Sequence, residues 1–524
     1  MARINKNPVT RSLNPNLWKW AIAITVALGA ILEVIDTSIV NVALPDMQSN
    51  LGATITEISW VITGYAIANV IVIPLTAWLG ERFGQKRYFI FSLSGFTISS
   101  VLCGLAPSLP FLIASRILQG LCGGGLLAKA QAILFQTFPP EEQGIAQGVF
   151  GMGVIVGPAI GPTLGGYLTD SVGWRWIFFI NIPFGILAVA MAVLFLPRDK
   201  HTTAQSKVDW WGIGLLAIAI GSLQTFLEEG ERNNWFDSSW IVILAIIAAI
   251  GMGLFIWREL TTNKPVVELR VLRYRSLAAG SFFSAIVGLG LYGTLFAVPI
   301  FAQNILHYTA MQTGMLLFPG ALAAGIMMPI LGRVTSKIDA RLFIATGAII
   351  TSLVMFQLAK INPDTGTEAL FYPLLWRGVG TVLMFLPLSL ATLGSLPKKD
   401  VPAGSGFYNL TRQLGGSIGI AILATLLDRR EAFHRAILND NVSLYNAATN
   451  QRLEALTSAF QSRGMDAHTA HQQALAVISQ TIDLQSAILS FEDIFHVVGI
   501  VFICILPLLL LLGKGNKANV TGVH

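Results

Sequence analysis

Two carboxylates, Glu33 and Asp36, stand one helical turn apart inside an otherwise apolar stretch running from Trp20 to Leu44. An acidic side chain at the centre of a membrane helix costs roughly 2.5–3.5 kcal/mol, so both must face a polar cavity or a partner. The chemistry open to them is proton binding or pairing with a cation. If the stretch climbs to an outer face near Leu44, Asp36 lies about 12 Å below that face at 1.5 Å per residue. A later stretch descending from Pro110 puts Arg116 about 9 Å below the same face by the same rise. A buried carboxylate beside a guanidinium stays ionised, and moving the guanidinium away favours protonation, which links proton binding to helix movement. Asp36 is therefore expected to pair with Arg116 in one state, the alternative being a static ion pair with a structural role. Glu33, deeper and nearer the midplane, is expected to take up protons or meet a cationic substrate, the alternative being a protonated hydrogen-bonding residue.

Other charges in apolar stretches carry less. Lys129 lies near the inner end of its stretch, where its long stem can snorkel to water, and takes no role. Arg377 and Arg412 lie deeper and have no acidic partner in their own half. They bind backbone carbonyls or attract anionic substrate. Trp60, Tyr65, Tyr292, Phe296 and Phe301 are candidates to line an apolar cavity, as are the polar Asn41 and Gln119, against the plain alternative of helix packing or lipid contact. The spacing of His468 and His471 suits a metal, but no cysteine or acidic cluster completes a site, and no metal is expected. Cys103, Cys122 and Cys504 all fall in apolar stretches and read as small packing residues rather than a disulfide framework.

The elements that must hold these residues are membrane helices. Over 524 residues, 54% are hydrophobic and only 12% charged, with a mean hydropathy of +0.66. That is a polytopic membrane protein. Fourteen apolar windows, at about 20–44, 57–79, 88–106, 110–136, 144–169, 175–196, 209–228, 239–257, 276–302, 311–332, 342–359, 369–393, 404–427 and 491–513, each approach the roughly 20 residues a helix needs to cross. A polar, basic leader with Arg3, Lys6 and Arg11 runs directly into the first window without a cleavage signature, so that helix is expected to be retained. With the N-terminus inside, 22 of the 34 Lys and Arg residues fall in inner segments and only Arg175, Arg232 and Lys360 in short outer loops. This bias places both termini in the cytoplasm.

Two similar halves emerge from the polar interruptions. The loop Gly80 to Arg87 follows window two, the loop Gly332 to Arg341 follows window ten, and Arg116 and Arg377 lie about two turns into windows four and twelve. Six helices, two inserted helices and six more are implied: 1–200 with its cytoplasmic tail, 201–262, and 263–524. Such a repeat is the trace of a transporter whose site lies between two bundles. Residues 428–490 are expected to form an external loop, with a short amphipathic helix around Asn450 to Ser462 built on Leu453, Leu456 and Phe460.

Window five carries the most specific pattern: Gly148, then Gly157-Pro158, Gly161-Pro162 and Gly165-Gly166. Glycines four apart form a smooth stripe for close helix packing. The prolines remove backbone donors and permit bending. A helix that rocks and an ordinary packing stripe both need such a surface.

This pattern resembles the antiporter motif of the major facilitator superfamily, and Gly80 to Arg87 is similar to its cytoplasmic loop. The run Asp36 to Pro45, the run Arg116 to Gly120, and Thr411 to Gly419 add to the likeness, as do Leu223-Gln224, Glu228 and Trp235-Phe236. Together they resemble the fourteen-span drug:proton antiporters, most of all the EmrB-type multidrug efflux pumps. The resemblance implies an all-α major facilitator fold and proton-driven export of hydrophobic drugs across an inner membrane, contributing to antibiotic resistance, with no cofactor. It also implies a periplasmic adaptor protein and an outer-membrane channel as partners, with Asp483 to Asp493 leading from the external segment into the last span. In the cytoplasmic loop, Glu81, Arg82, Gly84, Lys86 and Arg87 are implied to form a conformational latch, with Glu81 standing where the family has Asp and Ala77 where it has Gly. The span-five motif argues against uptake by symport. A stand-alone exporter of one metabolite or siderophore is the alternative. No phosphate-binding Gly-x-x-x-x-Gly-Lys-Ser/Thr run occurs, and no catalytic constellation converges as an intramembrane enzyme or sensor requires.

Overall fold

The computed structural model describes residues 14–199, 208–335, 337–362, 365–443 and 445–512. Arg3, Lys6, Arg11 and Ser336 lie outside the described residues. From the N-terminal side, α1 (Pro15–Leu51), α2 (Ile55–Val72), α3 (Thr76–Phe83), α4 (Gln85–Gly104), α5 (Leu109–Gly123), α6 (Leu126–Thr137), α7 (Pro140–Val172), α8 (Trp176–Phe179) and α9 (Asn181–Phe195) make six crossings. The pairs α2–α3, α5–α6 and α8–α9 each form one broken crossing. Two further crossings are α10 (Trp210–Glu229) and α11 (Ser239–Thr261). The rest of the chain is α12 (Arg275–Asn304), α13 (Ala310–Val334), α14 (Ala340–Leu358), α15 (Thr367–Leu393), α16 (Val401–Asn441), α17 (Ala447–Gln461) and α18 (Ala467–Leu508). Only α17 of these last seven is too short and polar to cross. We call the face where α1 begins the near face and the opposite one the far face.

Thirteen crossings among the described residues are long and apolar enough on composition alone. The fourteenth, α4, is diluted by hydroxyls that the fold satisfies internally: Thr97 donates to Leu93 O at 2.8 Å and Ser100 to Phe178 O at 2.9 Å. A hydroxyl bonded to a backbone carbonyl costs the bilayer core little. The breaks have local causes. Pro74 sits in the 3-10 turn Ile73–Leu75 between α2 and α3, where the missing N–H cannot sustain the α ladder. Three consecutive glycines, Gly123 to Gly125, interrupt the fourth crossing, where backbone freedom is greatest.

Residues 428–490 differ from the expected loop. Two membrane helices instead continue beyond the far face, with α16 running to Asn441 and α18 starting at Ala467. Ion pairs join them: Asp493 accepts from Arg430 Nε at 2.5 Å and lies 2.8 Å from His434 Nε2, and Asp483 accepts from Arg435 Nε at 2.9 Å. Between them α17 packs on α18, whose buried Ala470 and Ala474 leave room for it. Helices that leave the membrane lose the apolar signature that marks a crossing, so composition alone reads them as loop.

Apolar cores form in each half, and the largest also takes in Ala132 and Phe135 of α6 and Ala159 of α7. One joins α12, α14, α15, α16 and α18; others join α1, α4, α6 and α9, and α1 with α2 and α8. The inserted α10 leans on α2 and α16, where Gln224 donates to Ser417 Oγ at 2.8 Å. Much of α11 faces outward through Ile243, Ile246, Ile250 and Leu254. The halves meet chiefly where α7 runs along α13.

Candidate functional site

In the first half α1 brings both carboxylates inward, Glu33 at 6% exposure and Asp36 at 0%. Arg116, on α5 and 1% exposed, places Nη1 2.6 Å from Asp36 Oδ2. The other carboxylate oxygen accepts from Gln119 Nε2 and from Asn181 Nδ2, each at 2.9 Å. Arg116 in turn donates to Gln119 Oε1 at 2.7 Å and to Val61 O at 3.1 Å, and its guanidinium lies 4.1 Å from the Tyr65 ring centroid. Four crossings are thus tied through one ion pair. A desolvated pair repays its burial only with such geometry and with its remaining donors and lone pairs satisfied.

Glu33 has a different environment. Its Oε1 accepts from Asn69 Nδ2 at 2.9 Å and its Oε2 from the backbone N of Leu127 at 3.0 Å. Leu127 is the second residue of α6, and the residue at that helix's N-cap, Gly125, has no side chain with which to cap it. A carboxylate at a helix N-terminus meets unsatisfied amides and the positive end of the dipole. Glu33 therefore caps the lower half of a broken crossing whose upper half carries Arg116 and Gln119.

Gln119 and Tyr65, read as cavity lining, belong to the ion-pair cluster. Phe301 packs in the second-half core, edge-on to Phe491 at 5.3 Å between ring centroids, rather than lining a cavity. Tyr292 and Phe296 are half-buried on α12, where the Tyr292 hydroxyl donates to Gln413 Oε1 at 3.4 Å. Trp60 is half-buried and Asn41 exposed. Arg412 donates to Asn409 Oδ1 at 2.8 Å and lies over Phe385, 5.1 Å from its centroid. Arg377 is buried in α15.

Lys129 does not snorkel. It is 1% exposed, its Nζ has no hydrogen-bond partner, and it packs beside Gly80 and 5.7 Å from the Tyr88 ring centroid. The crossing ends close by, but α3 and α4 cover that side and block the route to water.

The glycine stripe of α7 faces α1. A Cβ at Gly157 would stand 2.9 Å from Val34, one at Gly165 2.8 Å from Ile39, and one at Gly161 would collide with Ser38. Gly148 abuts Met328 of α13 instead, and Gly166 comes near Met311 of the same helix. Pro158 and Pro162 lie within α7, which remains one helix.

At the near face Gly84 takes φ +93°, and a Cβ there would displace the Asp199 carboxylate. Asp199 accepts from the backbone N of Lys86 at 2.9 Å and of Arg87 at 3.3 Å, while Lys86 Nζ donates to Leu196 O at 2.9 Å. Glu81 and Arg87 are exposed, and the Arg82 guanidinium lies over Trp78, 5.7 Å from its centroid.

Sequence reasoning missed the seal between the halves. Gln131 Nε2 donates to Ser389 Oγ and Asn409 Nδ2 to Gln131 Oε1, both at 2.8 Å, and Ser405 Oγ donates to Ala128 O at 2.7 Å. Asn181, Asn69 and Asp199 were missed too. Polar amides in otherwise apolar stretches were the available signal.

A family model described as the Major Facilitator Superfamily matches residues 26–420. Multidrug export protein EmrB of Escherichia coli (strain K12) is 35% identical over 486 residues, 93% of this chain and 93% of that protein. Fatty acid resistance protein FarB of Neisseria gonorrhoeae is 33% identical over 487 residues, 93% of this chain and 94% of that one. The crystal structure of the human organic anion transporter MFSD10 superposes with a TM-score of 0.57 over 92% of this chain and 99% of that one. At 13% identity, that likeness is one of fold.

Proposed function

The chain belongs to the major facilitator superfamily, and on that premise we propose that it exports hydrophobic drugs and toxic amphiphiles in exchange for protons, by alternating access across the inner membrane. Residues 1–200 and 263–524 act as the two moving bundles and 201–262 as the inserted pair. The bias of basic residues places the near face in the cytoplasm.

The observation that carries this reading is the Asp36–Arg116 pair, buried, shared between α1 and α5, and bridged by Gln119, which donates to the carboxylate and accepts from the guanidinium. A proton arriving at Asp36 removes the charge that holds Arg116, so the link between α1 and α5 weakens when the site is loaded. α5 continues through the glycine break into α6, whose Gln131 closes the near face. Weakening at one end of that crossing is thereby communicated to the gate at the other. Proton release to the cytoplasm restores the pair and resets the cycle.

The test is Asp36→Asn in proteoliposomes with an imposed pH gradient. We expect gradient-driven transport of a lipophilic dye to disappear while gradient-independent exchange persists. Transport at the parent rate would sink the coupling role.

From the resemblance to EmrB-type pumps we infer in addition a tripartite assembly, with a periplasmic adaptor gripping the projection formed by α16, α17 and α18 and leading to an outer-membrane channel. Removing residues 446–463, which contain α17, should abolish recovery of the adaptor in a pull-down. Unchanged recovery counts against the projection as the docking element.

A further inference from the structure

Arg377 is a buried guanidinium without a counter-charge. Its residue is 8% exposed, and Nη1 is shielded from solvent with no hydrogen-bond partner. It occupies in the second half the place Arg116 occupies in the first, since α15 packs on α13 and α14 as α5 packs on α2 and α4. Arg116 meets a carboxylate there; Arg377 does not.

Nor do the second-half helices packed on α15 supply one. Helices α12, α13 and α14 contain no Asp or Glu, and α16 has none before Asp428. The sole acid of α15, Glu368, is exposed in its first turn, about 13 Å along the axis from Arg377. Arginine does not discharge itself by losing a proton, and an uncompensated charge at this depth is costly. Leu374, one turn before it, is fully buried, and Gly378 beside it presses on Gly320 of α13, so neither neighbour offers an acceptor side chain. Arg412, by contrast, already holds Asn409 and covers Phe385.

We propose that Arg377 binds the anionic headgroup of an amphiphilic substrate, a carboxylate received by the planar fork of the guanidinium while the apolar second-half helices accept the tail. The proposal rests on the export function above and adds to it a substrate class and its anchoring residue. A guanidinium pairs with a carboxylate through two parallel N–H donors, a geometry lysine does not reproduce. The site then serves acids, while cationic amphiphiles bind without it.

Two probes with the same tail and opposite charge, dodecanoate and dodecyltrimethylammonium, test this on the purified full chain in phosphatidylcholine nanodiscs, with and without phosphatidylglycerol. Binding is read from intrinsic tryptophan fluorescence in the parent, R377K and R377Q. We expect R377Q to weaken dodecanoate binding by about tenfold or more, as loss of a charged hydrogen-bond partner implies. R377K should lie between, and the cation should bind all three alike. Equal dodecanoate affinity in the parent and R377Q overturns the proposal, as does an equal loss for both probes. A deficit confined to phosphatidylglycerol also overturns it, by assigning the site to a lipid headgroup. Should R377Q fail to fold, R377K decides: dodecanoate binding at the parent affinity overturns the proposal. Proton-driven efflux of the cation, measured separately, tests the antiport reading, which stands or falls independently of the acid's affinity.

Discussion

Asp199 and Lys86 hold the ends of each other's helices. The carboxylate accepts from the backbone N of Lys86 at the start of α4, and the ammonium of that same residue donates to Leu196 O at the end of α9. Each supplies the charge that the other's helix end favours, negative at an N-terminus and positive at a C-terminus. The loop that carries Glu81, Arg82 and Arg87 is thus anchored to the end of the sixth crossing, 113 residues away.

Removing that anchor should loosen the loop without touching the proton site. Asp199→Ala is expected to cost about 0.5–1.5 kcal/mol, the net worth of a hydrogen bond whose donors can turn to water, and Gly84→Ala to act in the same direction through its positive φ and the lost space. Thermal unfolding in detergent checks the first expectation. Export slowed with unchanged substrate affinity checks the second, because only the gate is altered.

Breaking the ion pair from one side leaves a charge buried alone. Arg116→Met is expected to destabilise the protein by about 3–5 kcal/mol, and Asp36→Asn/Arg116→Met together by less than Arg116→Met alone, because no charge remains. Neither should transport against a gradient. Recovery of stability without recovery of proton-driven export, measured on the same preparations, would separate the structural use of the pair from its coupling use.

Glu33 is expected to act on the coupling of every substrate rather than on cations alone. Both its oxygens are occupied, one by Asn69 and one by the amide of Leu127, so its substitution alters the break in the fourth crossing before it alters any substrate contact. Glu33→Ala should cost about 0.5–2 kcal/mol as a lost helix cap, with Glu33→Gln costing less. Comparing cationic, neutral and weakly acidic amphiphiles decides: loss restricted to cations would instead make Glu33 a substrate carboxylate.

The seal at the near face rests on amides and hydroxyls. Gln131→Ala removes donors and an acceptor shared with Ser389, Ser405 and Asn409, and a weakening of about 1–2 kcal/mol is roughly a fivefold to thirtyfold shift in the balance of states. A cysteine placed at Ala128, buried one turn before Gln131 and joined to the seal only through its backbone carbonyl, should then label faster from the near face in a cysteine-free background when Gln131 is Ala. An unchanged labelling rate would show that the α7–α13 contact holds the gate unaided.

Asp209, just outside the seventh crossing, gives a pH signature. Burial raises its carboxyl, but the Arg258 guanidinium, at 3.1 and 3.2 Å, and the amide of Gly212 outweigh that and hold it below the usual carboxylate range. A depressed value in the folded state means that this stabilisation is present above the unfolded carboxyl value of about 3.9 and is lost as pH falls through the lower folded value. The thermal stability of the parent should therefore fall towards that of Asp209→Asn only at acid pH, the two curves remaining parallel from pH 5 to 8.

The residues that announced themselves in the sequence were those whose presence in an apolar stretch costs most. Glu33, Asp36 and Arg116 stand out because nothing but function or a partner explains a charge at that depth, and the depth itself suggested which charge meets which. Asn181 and Asn69 complete the same site but carry no charge, and their partners come from crossings far away in the chain, so only packing identifies them. Lys129 misled for a related reason: distance to the end of a crossing is readable in one dimension, whereas coverage by α3 and α4 is not. The projection of α16 and α18 was misread because helices bathed in water on several sides lose the apolar run that marks them within a bilayer.

The helix α7 touches α1 through its glycine stripe and follows α13 of the opposite half along its other face. A surface with no side chains has no teeth to disengage, so a partner can turn against it in small increments rather than jump between interlocked positions. In mechanical terms the stripe is a plain bearing between α7 and α1 inside the first bundle, and α7 carries that bundle against α13 of the second. A methyl group at Gly157 or Gly161 would act as a pawl, fixing whichever orientation it was assembled in, and the pump would then be arrested with its proton site and its near-face seal both chemically intact.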